Sequence, residues 1–260
     1  MLPFHCRGFL SNKVYLCGTN AAMLSEISNP RSALDYNEET LISILDQIQS
    51  FMPTGASKAY TQQSLRLFAD LPQWHKEQVF LQFQAWRFAL EIIPFREKSG
   101  QAEASRMKHT MNFMRFKVSD EFFNLVKEND IVEGYLLHPE HGAFQIYRNG
   151  AFRETCSYDP LQLTTQPMHK LFSRTESVQK TIEDRFAKLF ADGTGKPYMM
   201  DVEDHEIVEI LHPRQRKFRI KNRFLALLFQ GDRPVGVAST LIASPEGSLL
   251  DGLRHVTPIV

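Results

Sequence analysis

The residues from Cys156 to Tyr158 place a thiol, a hydroxyl and a phenol next to one another. Such groups act as nucleophiles when a base and an oxyanion donor stand beside them. The chain carries no Gly-x-Ser-x-Gly sequence, and free cysteines are most often simply buried. We therefore predict that Cys156 is a packed thiol and that the protein is not an enzyme.

Two pairs of histidines could supply metal ligands. His138 and His141 flank a short turn, and His205 and His212 lie on either side of a short predicted strand. A zinc site needs ligands that converge on one point, and neither pair is spaced to do so. The sequence predicts no metal site.

Two arginines in the run "KFRIKNRFLALL" lie four residues apart, at Arg219 and Arg223. Their planar forks suit phosphates and guanine edges. With Ser244 further on, the spacing resembles the cyclic-dinucleotide motif of the PilZ family, although Ile242 stands where that family has Asp or Asn. This resemblance implies a nucleotide site at Arg219, Arg223 and Ser244. The alternating pattern of the same run also predicts an ordinary strand with one charged face.

The composition is that of a folded protein with no net charge. Hydrophobic residues make up 43% of the 260 positions, and 30 basic residues balance 30 acidic ones. No overall field attracts nucleic acid or an anionic membrane, so we expect neither as a partner. The three cysteines form no disulfide pattern, and no segment reads as a signal peptide or membrane span. We expect a cytoplasmic protein.

Helical periodicity dominates the first half of the chain. Apolar residues recur at helical spacing in 37–52 and 72–93, and shorter helices are predicted at 105–116 and 119–127. The small, polar segment 97–105 is predicted to be a linker. In the helix 105–116, Met107, Met111 and Met114 form one apolar stripe.

After residue 130 the pattern changes to that of strands. Two apolar runs, 131–139 and 143–150, surround a glycine turn and predict a hairpin. A helix at 174–191 is predicted to begin at a capping box formed by Ser173 and Glu176. Strand patterns follow at 198–202, 206–211, 217–230 and 234–244. This order predicts an α+β fold.

Three segments of this second half resemble the PAS family. "EGYLLHPEHGAFQIYRNGAF" resembles its opening hairpin, with the Asn-x-Ala-Phe step at Asn149, Ala151 and Phe152. "CSYDPLQL" resembles the following turn into a short helix at 158–163, and "GDRPVGVASTL" resembles the last hairpin. The resemblance covers about 130–244, under half of the chain. It implies a five-stranded antiparallel sheet with helices inserted between the second and third strands.

The resemblance also implies a function. PAS domains usually act as non-enzymatic sensory, signalling or protein-interaction modules, and many bind a small apolar ligand between the sheet and the inserted helices. The residues expected at such a site are Cys156, Tyr158, Met168, His169, Phe172, Phe186 and Met199. Some PAS proteins hold haem through a helix histidine, which would here be His169. An interior filled by side chains is the alternative.

The expected organisation has four parts. They are a mainly helical N-terminal domain (1–104), connecting amphipathic helices (105–129), a PAS-like domain (130–250) and a C-terminal tail (251–260). PAS domains commonly pair through the sheet and a preceding helix, so the resemblance implies a homodimer through the methionine stripe, and a signalling protein as a further partner. The alternative is that the stripe packs onto the N-terminal domain.

Overall fold

The computed structural model describes residues 36–53, 58–97, 99–138, 140–149, 156–211 and 215–245. It combines helices with antiparallel strands, which confirms the α+β class. The helices are α1 (Glu38–Ser50), α2 (Gln62–Ala69), α3 (Gln73–Ile92), α4 (Gly100–Phe113), α5 (Asp120–Asn124), α6 (Pro160–Thr165), α7 (Met168–Leu171) and α8 (Glu176–Asp192). The strands are β1 (Phe116–Lys117), β2 (Ile131–His138), β3 (Gly142–Arg148), β4 (Phe172–Ser173), β5 (Tyr198–Met199), β6 (His205–Glu209), β7 (Lys217–Gln230) and β8 (Arg233–Pro245).

All of these strands join one antiparallel sheet. The longer strands follow the order β3, β2, β8, β7, β6, and β4 pairs with the outer edge of β6. The short strands β1 and β5 both pair with β7. β1 and β4 have no counterpart among the predicted strands, and β5 covers only the start of the predicted strand 198–202. The helices α6, α7 and α8 lie in the chain between β3 and β6.

Helices cover both faces of the sheet. Successive strand residues point to opposite faces, and Val132, Ala226 and Ala238 pack in one cluster with residues of α1 to α5. We call this the N-terminal face. Ile131, Leu225 and their neighbours point the other way and pack under α6, α7 and α8, and we call this the inserted-helix face. The N-terminal helices and the sheet therefore share one core.

The fourth helix differs from its prediction. α4 begins at Gly100, because the side chain of Ser99 accepts a hydrogen bond from the Ala102 amide at 3.1 Å and caps the helix. Most of the predicted linker 97–105 is thus helical, since Gln, Ala and Glu are good helix formers. The helix ends at Phe113, near Arg115 with a φ of 62°. The predicted domain boundary at 104/105 falls inside this helix.

The methionine stripe of α4 is buried. Met107, Met111 and Met114 have relative exposures of 0%, 1% and 3% and belong to the core shared with the sheet. The stripe therefore packs internally, and the predicted homodimer loses the exposed apolar face on which it was based.

Three further helices also differ from their predicted ranges. α8 begins at Glu176 after Thr175, and Ser173 lies in β4, so the predicted capping box is wrong. α6 runs from Pro160 to Thr165 and is capped by Asp159, whose side chain accepts from the Gln162 amide at 2.7 Å. α5 begins after the predicted cap Ser119 but ends at Asn124. In the described part of the chain, no helix is long and apolar enough to cross a membrane.

Candidate functional site

A group of polar side chains lies buried on the inserted-helix face of the sheet. Strand alternation directs Glu133 and Tyr135 of β2 to this face, where they are only 4% and 7% exposed. The antiparallel neighbours bring Arg148 of β3 and Ser239 of β8 directly opposite Glu133. We call these four residues, together with Gln145 of β3, the polar network.

The carboxylate of Glu133 is the centre of the polar network. It accepts hydrogen bonds from Arg148 Nη2, from the Tyr135 hydroxyl at 2.7 Å and from the Ser239 hydroxyl at 3.3 Å. Arg148 Nη2 also donates to the Tyr135 hydroxyl oxygen at 3.2 Å. Burial, reinforced by the charge of Glu133, raises the pKa of Tyr135. The phenol is therefore held protonated as a donor.

Two further residues complete the surroundings of this ion pair. With its amide oxygen turned towards the guanidinium, Gln145 accepts from Arg148 Nε at 2.7 Å and Nη2 at 2.9 Å. The guanidinium of Arg174, just before α8, interacts electrostatically with Tyr135 and Glu133. The carboxylate of Glu133 therefore interacts with two guanidinium groups, those of Arg148 and Arg174.

A second polar group lies beside the first. Cys156 is 7% exposed, and Glu209 of β6 is fully buried and accepts from the Ser157 amide at 2.6 Å. Burial raises the pKa of the Cys156 thiol, so the thiol is protonated and a poor nucleophile. Within this second group, Glu209 Oε2 and the Ser157 hydroxyl are buried and have no hydrogen-bond partner among the described residues.

Some of the predicted ligand residues do come together. Cys156, Tyr158 and Phe172 lie in one buried cluster against which Met168 packs. The rings of Tyr158 and Phe172 meet edge to face at 5.4 Å, and the Tyr158 hydroxyl donates to the Leu171 carbonyl at 2.8 Å. These side chains fill the layer between the sheet and the helices and contact one another.

The other predicted ligand residues lie elsewhere. Phe186 packs on a neighbouring cluster below α8, and Met199 is 68% exposed. His169 is exposed on α7, where its Nδ1 would lie 3.2 Å from a Cβ at Gly142. The imidazole therefore faces the turn between β2 and β3, and the residues around it do not fit an enclosed haem site.

A small cavity lies beside β3, the outermost long strand of the sheet. It has a volume of about 30 Å³ and is bounded by α3, β3 and α6, with Gln82, Trp86, Gln145, Arg148 and Thr164 among its lining residues. A void of this size holds a water molecule or two. Small-molecule sites usually enclose about 300–1,000 Å³.

Asn149, at the end of β3, bridges to the start of β2. Its Oδ1 accepts from the Val132 amide at 3.2 Å, and its Nδ2 donates to the Asp130 carbonyl at 2.7 Å. These two hydrogen bonds join the end of β3 to the start of β2, at the end of the hairpin opposite its turn. Ala151 and Phe152 lie outside the described residues.

The residues of the alternative nucleotide site lie along β7 and β8. Arg219 is exposed and is the direct cross-strand neighbour of Ser244. Arg223 is mostly buried, and its Nη1 lies 2.5 Å from Asp130 Oδ1 in an ion pair. The two arginines therefore differ in their surroundings.

The described histidines, cysteine and acidic residues include no group of three or more that could hold a metal ion. His212, the partner of His205 in the sequence pattern, lies outside the described residues.

Sequence reasoning missed the polar network. The available signal was a charged residue, Glu133, inside the otherwise apolar run "IVEGYLLH", followed by a single arginine at the end of the next strand. The comparisons with known proteins add no homologue: no protein-family model matches the chain, and no curated protein matches it.

Proposed function

We propose that the protein is a non-enzymatic sensory or protein-interaction module built on a PAS-like sheet. The observation that carries this proposal is the strand order β3, β2, β8, β7, β6, with α6 to α8 between β3 and β6 in the chain. A hairpin, inserted helices and three antiparallel strands form the arrangement that the resemblance implies. A fold is compatible with many activities, so the role rests on the interior as well.

The interior supports a module without a resident apolar ligand. Tyr158 and Phe172 contact each other where a ligand would lie, and the ion pair of Glu133 and Arg148 occupies the neighbouring part of the layer. The cavity at the β3 edge has about 30 Å³, far below the usual size of a small-molecule site. An apolar ligand would have to separate these side chains.

The state of the polar groups supports a non-catalytic role. General acids and bases work best with pKa values near the working pH. Burial instead raises the pKa values of Cys156 and Tyr135, which keeps both groups protonated at neutral pH. Glu133 is held by Arg148, Tyr135 and Ser239. The network is suited to fixing the hairpin to the sheet.

Reactivity of Cys156 provides the test. In a chain with Cys6 and Cys17 replaced by serine, we expect iodoacetamide to label Cys156 only after denaturation. We also expect no turnover of ester, amide or phosphoester substrates. Rapid labelling of the native thiol together with turnover that Cys156→Ser abolishes would contradict the proposal.

A cyclic-dinucleotide receptor is the second candidate, because Arg219 and Ser244 are cross-strand neighbours. Phosphate binding by Arg223 would compete with its ion pair to Asp130. Calorimetric titration with cyclic di-GMP decides between the two functions. Saturable heat that both Arg219→Ala and Arg223→Ala abolish would favour the receptor, whereas absence of heat at high micromolar nucleotide would exclude it.

A further inference from the structure

The turn between β2 and β3 packs against the first turn of α3 through aromatic rings. The indole of Trp74 stacks nearly parallel to the imidazoles of His75 and His138, with centroids 4.9 Å away in each case. His141 stacks at 6.0 Å from Trp74 and 4.4 Å from His138. We call Trp74, His75, His138 and His141 the imidazole cluster.

The hydrogen bonds of His138 show which of its two ring nitrogens carries no proton. Its Nδ1 accepts from the backbone amides of Glu140 at 3.1 Å and His141 at 3.3 Å. A ring nitrogen that accepts has a free lone pair and carries no proton. The turn is therefore held by an unprotonated Nδ1.

His75 connects the cluster to α6. Its Nε2 lies 3.0 Å from the Thr164 carbonyl oxygen, and since a carbonyl only accepts, this nitrogen carries the hydrogen. The ring is 2% exposed and meets Phe144 of β3 edge to face at 4.4 Å. One imidazole thus joins α3, β3 and α6.

Charges around the cluster are mostly positive once it is protonated. The turn contributes His141 and one exposed carboxylate, Glu140, and α7 contributes His169, which faces the turn, and Lys170, whose charge acts on His169. Burial lowers the pKa of His75 to about 4, and burial together with His141 lowers the pKa of His138. α6 contributes the Thr164 carbonyl but no charge.

We propose that the imidazole cluster is an acid-sensitive latch, which holds the tip of the β2–β3 hairpin on α3 while its imidazoles are neutral and releases it when they are protonated. A proton on Nδ1 of His138 removes the acceptor for both turn amides. A single imidazolium would gain attraction from the Trp74 ring, but protonated His138 and His141, with ring centroids 4.4 Å apart, would repel each other. Release would expose Trp74 and the part of β3 at Phe144 that packs on it. The inference rests on these contacts and holds whether or not the chain is a sensory module.

Hydrogen exchange of the full chain tests the latch. Amide exchange is measured from pH about 7.5 to about 4 and corrected for the intrinsic rate. We expect protection of the Glu140 and His141 amides to fall at least about ten-fold, the equivalent of one pKa unit. Amides of Ala226 and Leu227 in β7 should stay protected.

A matched pair of variants separates the latch from general acid effects. His138→Asn keeps an acceptor for the turn amides through its Oδ1 but cannot be protonated, so its turn should remain protected in acid. His109→Asn, on α4 and outside the cluster, should behave like the wild type.

Three results would overturn the latch. They are unchanged protection of the wild-type turn throughout the range, equal loss of protection in β7, and a loss in His138→Asn as large as in the wild type. Should His138→Asn fail to fold, the ¹⁵N shifts of His138 in the wild type decide. A signal of an unprotonated, hydrogen-bonded Nδ1 that persists while turn protection is lost would equally overturn it.

Discussion

A single carboxylate, that of Glu133, organises the polar layer beneath the inserted helices. Taking a carboxylate and a guanidinium out of water costs several kcal/mol for each ion, and their attraction offsets this cost only when the geometry and additional hydrogen bonds are good. Glu133 meets these conditions through Arg148, Tyr135 and Ser239. Removing one partner should therefore lower the free energy of unfolding by far more than the net contribution of the intact pair.

Replacing Glu133 by glutamine tests this role. Glu133→Gln leaves the buried Arg148 without its counter-charge, so we expect the free energy of unfolding to fall by about 3–5 kcal/mol. The same substitution at Glu206, whose ion pair with Lys217 is 48% exposed on the glutamate side, should cost less than about 1 kcal/mol. Urea unfolding of both variants measures the difference. Equal losses would show that the buried pair has no special role.

The buried imidazole of His75 makes stability depend on pH. Burial lowers its pKa to about 4, against about 6.5 in an unfolded chain. Between these values the unfolded state binds a proton that the folded state does not. Stability contributed by this residue is thus complete above pH about 6.5 and is lost as the pH falls towards about 4, by up to about 3 kcal/mol.

Comparison with His75→Gln isolates this effect, because glutamine can still donate to the Thr164 carbonyl and does not titrate. We expect the loss of stability between pH about 7 and about 4.5 to be smaller in His75→Gln than in the wild type. The His109→Gln variant should retain the wild-type slope. Identical slopes for His75→Gln and the wild type would refute the assignment.

At the scale of elements, the spacing of apolar residues in the sequence predicted several of the helices and strands that the structure contains. The alternation of "KFRIKNRFLALLFQ" predicted β7 over its full length, and the apolar spacing of α3 and α1 predicted both helices closely. The starts of two helices were predicted less well, since α4 begins at Gly100 and not at 105, and α8 begins at Glu176 after Thr175 and not after Ser173. The short helix α2 was missed, although Thr61 and Ser64 form a capping box at its start.

Gly236 lies where the backbones of β8 and β2 approach each other closely. A Cβ at this position would overlap the carbonyl oxygen of Tyr135, because β8 crosses close to β2 there. We expect Gly236→Ala to destabilise the fold by about 3 kcal/mol or more. Gly231→Ala, at a φ of 63° but with nothing within 4 Å, should cost only about 1–2 kcal/mol. Thermal unfolding compares the two, and a smaller loss for Gly236→Ala would contradict the close approach.

A substitution in the methionine stripe of α4 tests whether the stripe is buried in the core or forms an interface between chains. Met111 is 1% exposed in the core, so Met111→Asp should destabilise the fold severely by burying an unpaired charge. The neighbouring Asn112→Asp, on the exposed side of the helix, should cost under about 1 kcal/mol. Circular dichroism against temperature measures both. A stable Met111→Asp variant that changes only the mass seen by light scattering would restore the stripe as a dimer interface.

On the scale of the whole molecule, sequence patterns identified apolar faces but not the surfaces that cover them. The stripe of Met107, Met111 and Met114 was visible in the sequence, yet only the packed structure joins it to Val132 and Ala238 of the sheet. The polar network was hidden for a similar reason. Glu133 and Arg148 become partners through the register of the β2–β3 pair, which includes a bulge after Gly134.

The central proposal is that side chains of the protein itself fill the layer between the sheet and the inserted helices, and that this layer holds no resident ligand. Native mass spectrometry of the full chain, purified from cells without denaturation, tests this most directly. We predict a polypeptide free of bound organic molecules, at about 30.0 kDa per chain, with no visible absorbance. A stoichiometric molecule or haem that is released on denaturation would contradict the claim.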